Sequence, residues 1–178
     1  MANLYKKYKK SDIKNKDGGY KPRLLFAPID TFLVCSLPGA DTALGDDVKI
    51  IEDHTFADPD GFIEIAGKVH SAKTTYSTVG DAGSEVIEHK FIIVVEGNSP
   101  ELYSMLRKLK SDESVFMLKD ANCIAADSYE QYGDSCLTPT LTVEFDSATT
   151  AEGTKQHTLT GTIREHKYWY YGAVTEKP

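Results

Sequence analysis

The chain reads as a mainly β protein, a β-sandwich or open barrel with a long projecting hairpin and one flanking α-helix. Three observations predict this. Apolar and polar residues alternate at the period of a half-buried strand, most clearly where Leu141, Val143 and Phe145 interleave with Thr140, Thr142 and Glu144. The stretch from Phe62 to Glu96 is rich in Ile, Val, Thr and Tyr and is reversed at Gly80-Asp81-Ala82-Gly83, the composition of a hairpin. Only residues 99–110 carry a helical period, with Leu102, Met105, Leu106 and Leu109 at i, i+3, i+4 and i+7.

The first 22 residues read as a flexible basic arm, and residues 23–178 as a single β domain. The arm is polar and without periodicity, broken at Asp17-Gly18-Gly19. It has three readings: a solvated tail, a segment docking on a neighbouring copy, or a Lys cluster on phosphates. Residues 23–34 are apolar but alternate poorly, and Pro28 predicts an edge or bulged strand because it cannot donate to a ladder. Residues 48–55 predict the next strand, and Asp58-Pro59-Asp60-Gly61 predicts a turn, proline presetting φ and glycine taking the strained position.

Residues 62–79 predict one long strand, with Ile63, Ile65 and Val69 on one face and Glu64, Lys68 and His70 on the other. Gly67 marks a bulge or a close approach. Its partner, residues 85–96, predicts burial on both faces around Ile93. The distal half of this hairpin (residues 73–87) is polar and rich in threonine. Being longer than the usual strand of about 5–6 residues, it is expected to project beyond the globule. The helix follows, with Ser99 as cap, Pro100 at its first position, Glu101 in the first turn and Arg107, Lys108 and Lys110 in the last. Residues 115–118 predict a short strand that 122–126 pairs with, and 127–134 a polar loop. Two alternating strands then follow, the second built on Leu159, Gly161 and Ile163, and the chain closes on Tyr168-Trp169-Tyr170-Tyr171. In a strand two of these four rings face a core and two face outward. Core packing, a contact between subunits and a carbohydrate-stacking platform are the readings open to them.

At 178 residues the chain suits one domain able to bury roughly 70% of its unfolded surface. No apolar run approaches the ~20 residues of a membrane span, and the basic N-terminus lacks the apolar core of a secretory signal. Cys35, Cys123 and Cys136 show no framework spacing, so reduced thiols in a cytoplasmic setting are expected. Charge is divided: residues 1–23 carry eight Lys/Arg against two Asp, and the rest twelve basic against twenty-five acidic residues. An acidic body repels nucleic acid rather than gripping it.

Motifs of catalysis do not stand out. His54, His70, His89, His157 and His166 have no metal-ligand spacing with one another or with cysteine, and Asp53, Asp58 and Asp60 lack the alternation and closing glutamate of a calcium loop. There is no nucleophile elbow, phosphate loop or dinucleotide fingerprint. Cys35, beside Leu33 and Val34, reads as a packed and inert thiol. No catalytic residue, metal or cofactor is expected, and no aromatic-flanked acid pair points to a glycosidase.

The order of parts from Leu24 to Tyr171 resembles the tail tube protein of long-tailed bacteriophages, a plan shared with the tubes of contractile injection systems. The resemblance rests on the hairpin of residues 62–96 with its polar tip, the single helix after it, and the Thr-rich strands 138–145 and 158–164. It implies a structural virion protein that forms six-membered rings whose sheets join into one barrel. The rings would stack into the tail tube, a conduit for genome DNA that passes without sticking to an acidic lumen. Its partners would be other copies and other tail proteins, with no membrane anchor. It would be assembled in the host cytoplasm and carried in the virion. The residues expected to meet a neighbouring subunit are Thr74, Thr75, Tyr76, Thr78, Val79, Asp81, Val86, Tyr168, Trp169 and Tyr170. Lys6, Lys7, Lys9 and Lys10 are expected on an arm reaching the next ring, although the arm itself has no counterpart in the family pattern. Another tail component (a terminator or connector), a carbohydrate- or cell-surface-binding β-sandwich, and an enzyme are the competing classes.

Overall fold

A run such as Leu24-Leu25-Phe26-Ala27 has no polar side to turn to water, so a strand made of it must be covered on both faces. In the computed structural model, which describes residues 19–40, 43–121, 129–149 and 153–178, all four of these side chains are buried. They lie in β1 (Tyr20–Pro28), inside a six-stranded sheet. Its other members are β3 (Lys49–Ile50), β5 (Ile63–Ala66), β8 (Ser114–Asp120), β9 (Tyr129–Tyr132) and β12 (Lys167–Tyr170), in the order β3-β12-β9-β8-β1-β5. β8 repeats the device with Val115-Phe116-Met117-Leu118, every member buried.

A four-stranded sheet packs on one side of this layer, ordered β10-β11-β7-β6, from β6 (Lys73–Val79), β7 (Val86–Glu96), β10 (Thr140–Asp146) and β11 (Gln156–Arg164). Leu24, Phe26, Phe116 and Leu118 face it and meet Phe91, Ile93, Leu141, Leu159 and Ile163 in the main core. Helix α1 (Pro100–Leu109) closes the open end of that core with Leu106 and Leu109 buried. Ser99 Oγ accepts from the Leu102 N–H at 3.1 Å, the cap its sequence predicts. Leu25, Ala27, Val115 and Met117 point the other way into a second core with Ile50, Phe62 and Tyr170, against which Phe32 of β2 (Phe32–Val34) and Phe56 of β4 (Thr55–Phe56) pack. β2 and β4 form a small two-stranded ribbon. The fold is therefore a β-sandwich with one flanking helix, as its composition predicts.

Several boundaries differ from expectation for physical reasons. β1 begins at Tyr20, not after residue 22: the Pro22 carbonyl accepts from Gly67 N–H at 2.8 Å, and the Tyr20 hydroxyl is held by Thr74. Lys6, Lys7, Lys9, Lys10 and residues 122–126 lie outside the described residues. Pro28 does not make β1 an edge strand, because it is the last residue of β1 and needs no ladder donor there. Residues 48–55 hold a 3-10 turn and two separate two-residue strands rather than one strand. Gly61 is required by space and not by φ, since a Cβ there would lie 2.8 Å from the backbone of Glu176 and Lys177.

The long strand of residues 62–79 is two strands in two sheets. The chain leaves β5 at Gly67, where a Cβ would meet the Ile93 side chain at 2.5 Å, and turns at His70 with φ 62° before entering β6. Val69 is consequently exposed rather than aligned with Ile63 and Ile65. The hairpin is β6–β7 alone, and most of it is sheet. β11 pairs with β7 as far as Glu88, and Glu165 N–H donates to the Ile87 carbonyl, so only the tip around residues 79–86 stands clear. In β7 one face is buried, with Phe91 and Ile93 inward, while Ile92 and Val94 are half-buried.

The second core contains one satisfied polar network. Ser36 N–H donates to His54 Nδ1 at 3.0 Å, and His54 Nε2 is 2.8 Å from Gln131 Oε1, whose amide nitrogen donates to the Gly133 carbonyl. Those partners make Nδ1 an acceptor and Nε2 the protonated nitrogen, a neutral ring stacked on Tyr170 at 4.5 Å. Burial holds His54 below the ordinary imidazole pKa, against the hydrogen bond it donates to Gln131 Oε1. The unfolded chain thus takes up a proton more readily than the native one below about pH 6.5, and stability falls as pH drops through that value. The unfolding midpoint in urea should decrease between about pH 7.5 and pH 5.5, and His54→Gln should flatten that slope. His89, also depressed mainly by burial, supplies a second share that His89→Gln removes.

A candidate binding cleft between the two sheets

The inner face of β6–β7 is polar at the end away from α1. Thr74 pairs with Phe91 and Tyr76 with His89, so these side chains point toward the six-stranded sheet. Across from them the registers Tyr132↔Lys167 and Glu130↔Trp169 put four functional side chains on the facing surface. Tyr20 closes the floor, where its hydroxyl accepts from Thr74 Oγ1 at 2.9 Å. The result is a cleft of about 690 Å³.

Its electrostatics centre on an ion pair. Lys167 Nζ lies 3.0 Å from Glu130 Oε1 and 3.3 Å from the centroid of the Trp169 ring, a salt bridge and a cation–π contact sharing one ammonium. The second Glu130 oxygen accepts from the Tyr132 hydroxyl at 2.7 Å. Burial lowers the Lys167 pKa although Glu130 opposes it, and raises those of Tyr132 and Tyr20, the Glu130 charge adding to both. Glu130 and Lys167 are spent on each other, so the cleft offers aromatic rings and hydroxyls for contact. Tyr76, three-quarters exposed, and Trp169 form its rims.

No protein-family model, curated protein or solved structure matches this chain. Function must therefore be read from the geometry.

Among the residues singled out in the sequence, Thr74, Tyr76 and Trp169 come together at this cleft, while Thr75, between the first two, borders it but turns its side chain to the outer face of the sheet. Thr78, Val79, Asp81 and Val86 lie apart at the hairpin tip. Tyr170 is not a subunit contact: it is fully buried, its hydroxyl donating to the Ala173 carbonyl at 2.8 Å. Tyr168 shares its face, and its hydroxyl donates to Asp134 Oδ2 at 2.7 Å. Strand alternation explains the split, with Tyr168 and Tyr170 on the side of the second core and Trp169 on the opposite side, at the cleft.

Sequence reasoning missed Glu130 and Tyr132, because it took residues 127–134 for a polar loop; they belong to β9. The tyrosines at both ends of Tyr129-Glu130-Gln131-Tyr132 were the available signal, since tyrosine favours strands. Next to β9, Asp134 is buried and accepts from His166 Nδ1 and Tyr168 at 2.7 Å each, and from the N–H groups of Cys136 and Leu137. Burial would raise its pKa, but these four donors together hold it below the carboxylate norm. Asp134 pins the turn after β9 rather than activating a nucleophile. The nearby Cys35 thiol is pushed up to about 11, chiefly by burial, which leaves it protonated at neutral pH. Its inertness was expected, but not for the reason given, since Leu33 and Val34 are themselves exposed.

Proposed function

We propose that this chain is a self-assembling structural protein whose copies join edge to edge into a ring, the rings stacking into a bacteriophage tail tube that conducts DNA. One observation carries the reading: the four-stranded sheet is open at both ends. Among the described residues no strand lies outside β6 or outside β10. All three internal pairings are antiparallel, so β6 and β10 run in opposite directions. A second copy placed beside the first by a simple rotation sets its β10 antiparallel to the first copy's β6. The ladder then continues unbroken and both exposed edges disappear. Such a joint is heterologous, the kind that closes into a ring.

Registers support a staggered joint. Lys73 is level with Ile92, Thr160 and Thr142, so only the start of β6 lies level with β10 and the remainder extends past it. Closing a sheet into a barrel needs a stagger of this kind. The face turned away from the core is hydroxylated, with Thr75, Thr140, Thr142, Thr158, Thr160 and Thr162 on it. Its charges are nearly balanced, Glu88, Glu96, Glu144 and Asp146 against Lys73, Lys90 and Arg164. A lumen lined by this face is neutral and hydrated rather than strongly acidic, and gives DNA phosphates little to hold.

Electron micrographs of the purified full chain at high concentration should show rings or tubes. Lys73→Glu on one edge and Glu144→Lys on the other should each weaken assembly, and the double reversal should restore it. Monomers alone at every concentration would overturn the reading. The exposed Tyr76 and Trp169 favour a second reading, a carbohydrate- or cell-surface-binding module. Trp169 is the only tryptophan, so quenching of its fluorescence by glycans, with no rings formed, selects that alternative.

A further inference from the structure

A second opening lies at the other end of the sandwich, where α1 crosses the inner face of β10 and β11. Tyr103, Leu106, Arg107 and Lys110 recur at i, i+3, i+4 and i+7, a helix stripe that faces Val143, Phe145 and His157 across a groove of about 400 Å³. That volume is within the range of small-ligand pockets, and its lining is mainly apolar with a few convergent polar groups. Tyr103 and Phe145 are 58% and 49% exposed, two aromatic rings left uncovered on opposite walls.

Two further features point to a ligand. His157 lines the groove and is 2% exposed, yet its Nε2 has no hydrogen-bond partner, and buried polar groups are ordinarily paired. Neither Arg107 nor Lys110 makes an ion pair among the described residues, although the chain carries a net charge of −7. Apolar walls, a buried nitrogen without a partner and two uncommitted cations describe a complementary molecule.

We propose that this groove binds a small hydroxyaryl carboxylate, its ring between Tyr103 and Phe145, its carboxylate on Arg107 and Lys110, and its hydroxyl on His157 Nε2. Neighbouring side chains close off that nitrogen, which is reached once the Phe145 ring packed 4.8 Å from the imidazole turns aside. Val143 and Phe145 belong to β10, whose free backbone edge is invoked for assembly, but they lie on its inner face, so binding and ring formation are read by separate measurements.

The test uses the full chain and 3-(4-hydroxyphenyl)propionate, followed by calorimetry and by the imidazole resonances of His157. One molecule per chain is expected to bind in the micromolar to millimolar range. Its methyl ester, which lacks the charge, should bind about tenfold more weakly, and 3-phenylpropionate, which lacks the hydroxyl, several-fold more weakly. Arg107→Glu in α1 and Lys110→Glu at its C-cap, both exposed at the groove's rim, should each cost about tenfold. His157→Phe should abolish the preference for the hydroxyl while leaving the acid favoured over the ester. Equal binding of acid and ester, unchanged binding in both charge reversals, unmoved His157 resonances, or no binding at all would overturn the proposal.

Discussion

Gly161→Val should cost about 3 kcal/mol or more and lower the unfolding temperature by roughly 6–12 °C. A Cβ at Gly161 would sit 2.1 Å from two carbons of the Phe91 ring, far inside contact distance. That ring cannot swing aside. It is fully buried, its centroid 5.2 Å from Phe116 and 5.1 Å from Tyr132, and it joins the two sheets across the main core. Gly161 pairs directly with Phe91 across the β7–β11 ladder, so the missing side chain on one strand is the space taken by the ring on the next. Either Phe91 leaves its rotamer or β11 lifts off the core, and both lose packing. Phe91→Leu in the Gly161→Val background should recover part of the loss, with a coupling of about 1 kcal/mol or more. Gly39→Ala, with nothing within 4 Å of its Cβ, should stay within about 0.5 kcal/mol of the parent. Equal stability of the Gly161 and Gly39 variants would contradict the packing described above.

The same pair shows what the sequence revealed and what it withheld. Alternation of Leu159, Gly161 and Ile163 placed β11 correctly, because the period of a half-buried strand is a local signal. α1 was legible nearly to the residue, since its cap, its first-turn proline and its apolar stripe all lie within eleven residues. The central strands were harder. Leu24 to Ala27 and Val115 to Leu118 were legible as strands, but they are buried on both faces, and a strand covered twice loses the alternation that shows its place in the sheet. β9 was hidden for a different reason: Glu130 and Gln131 look like loop residues until Lys167 and His54 arrive, 37 and 77 positions away, to satisfy them. Of the cleft, the exposed rings Tyr76 and Trp169 were visible as candidates, whereas its charged centre depends on two distant strands lying side by side. The division of residues 62–79 between two sheets rests on Gly67 and Ile93 touching, a contact no periodicity encodes.

Removing Glu130 should be the most damaging single change in the cleft. The side chains of Lys167 and Glu130 are 8% and 14% exposed, so deleting one partner leaves the other charge in a poorly solvated place. Glu130→Ala is expected to cost about 3 kcal/mol or more, and the Tyr132 hydroxyl loses its acceptor as well. Lys167→Met on top of Glu130→Ala should return part of that loss, because most of the penalty belongs to the stranded ammonium rather than to the missing bond. The pH dependence follows with a definite sign. Burial already holds the native Lys167 pKa below the ordinary lysine value, and without Glu130 it drops further. At Lys167 the unfolded chain then binds more protons than the native one at alkaline pH, so the deficit of Glu130→Ala from the parent should narrow as pH approaches about 10, while the raised tyrosine pKa values act with the opposite sign in both chains. Trp169 reports which outcome holds, since its ring keeps the ammonium 3.3 Å from its centroid while Lys167 is stranded and loses it if Lys167 turns toward water. A Glu130→Ala chain no less stable than the double variant, with Trp169 emission altered as Lys167 leaves its ring, would mean that Lys167 finds solvent without cost. The cleft would then be an open surface rather than a preorganised one.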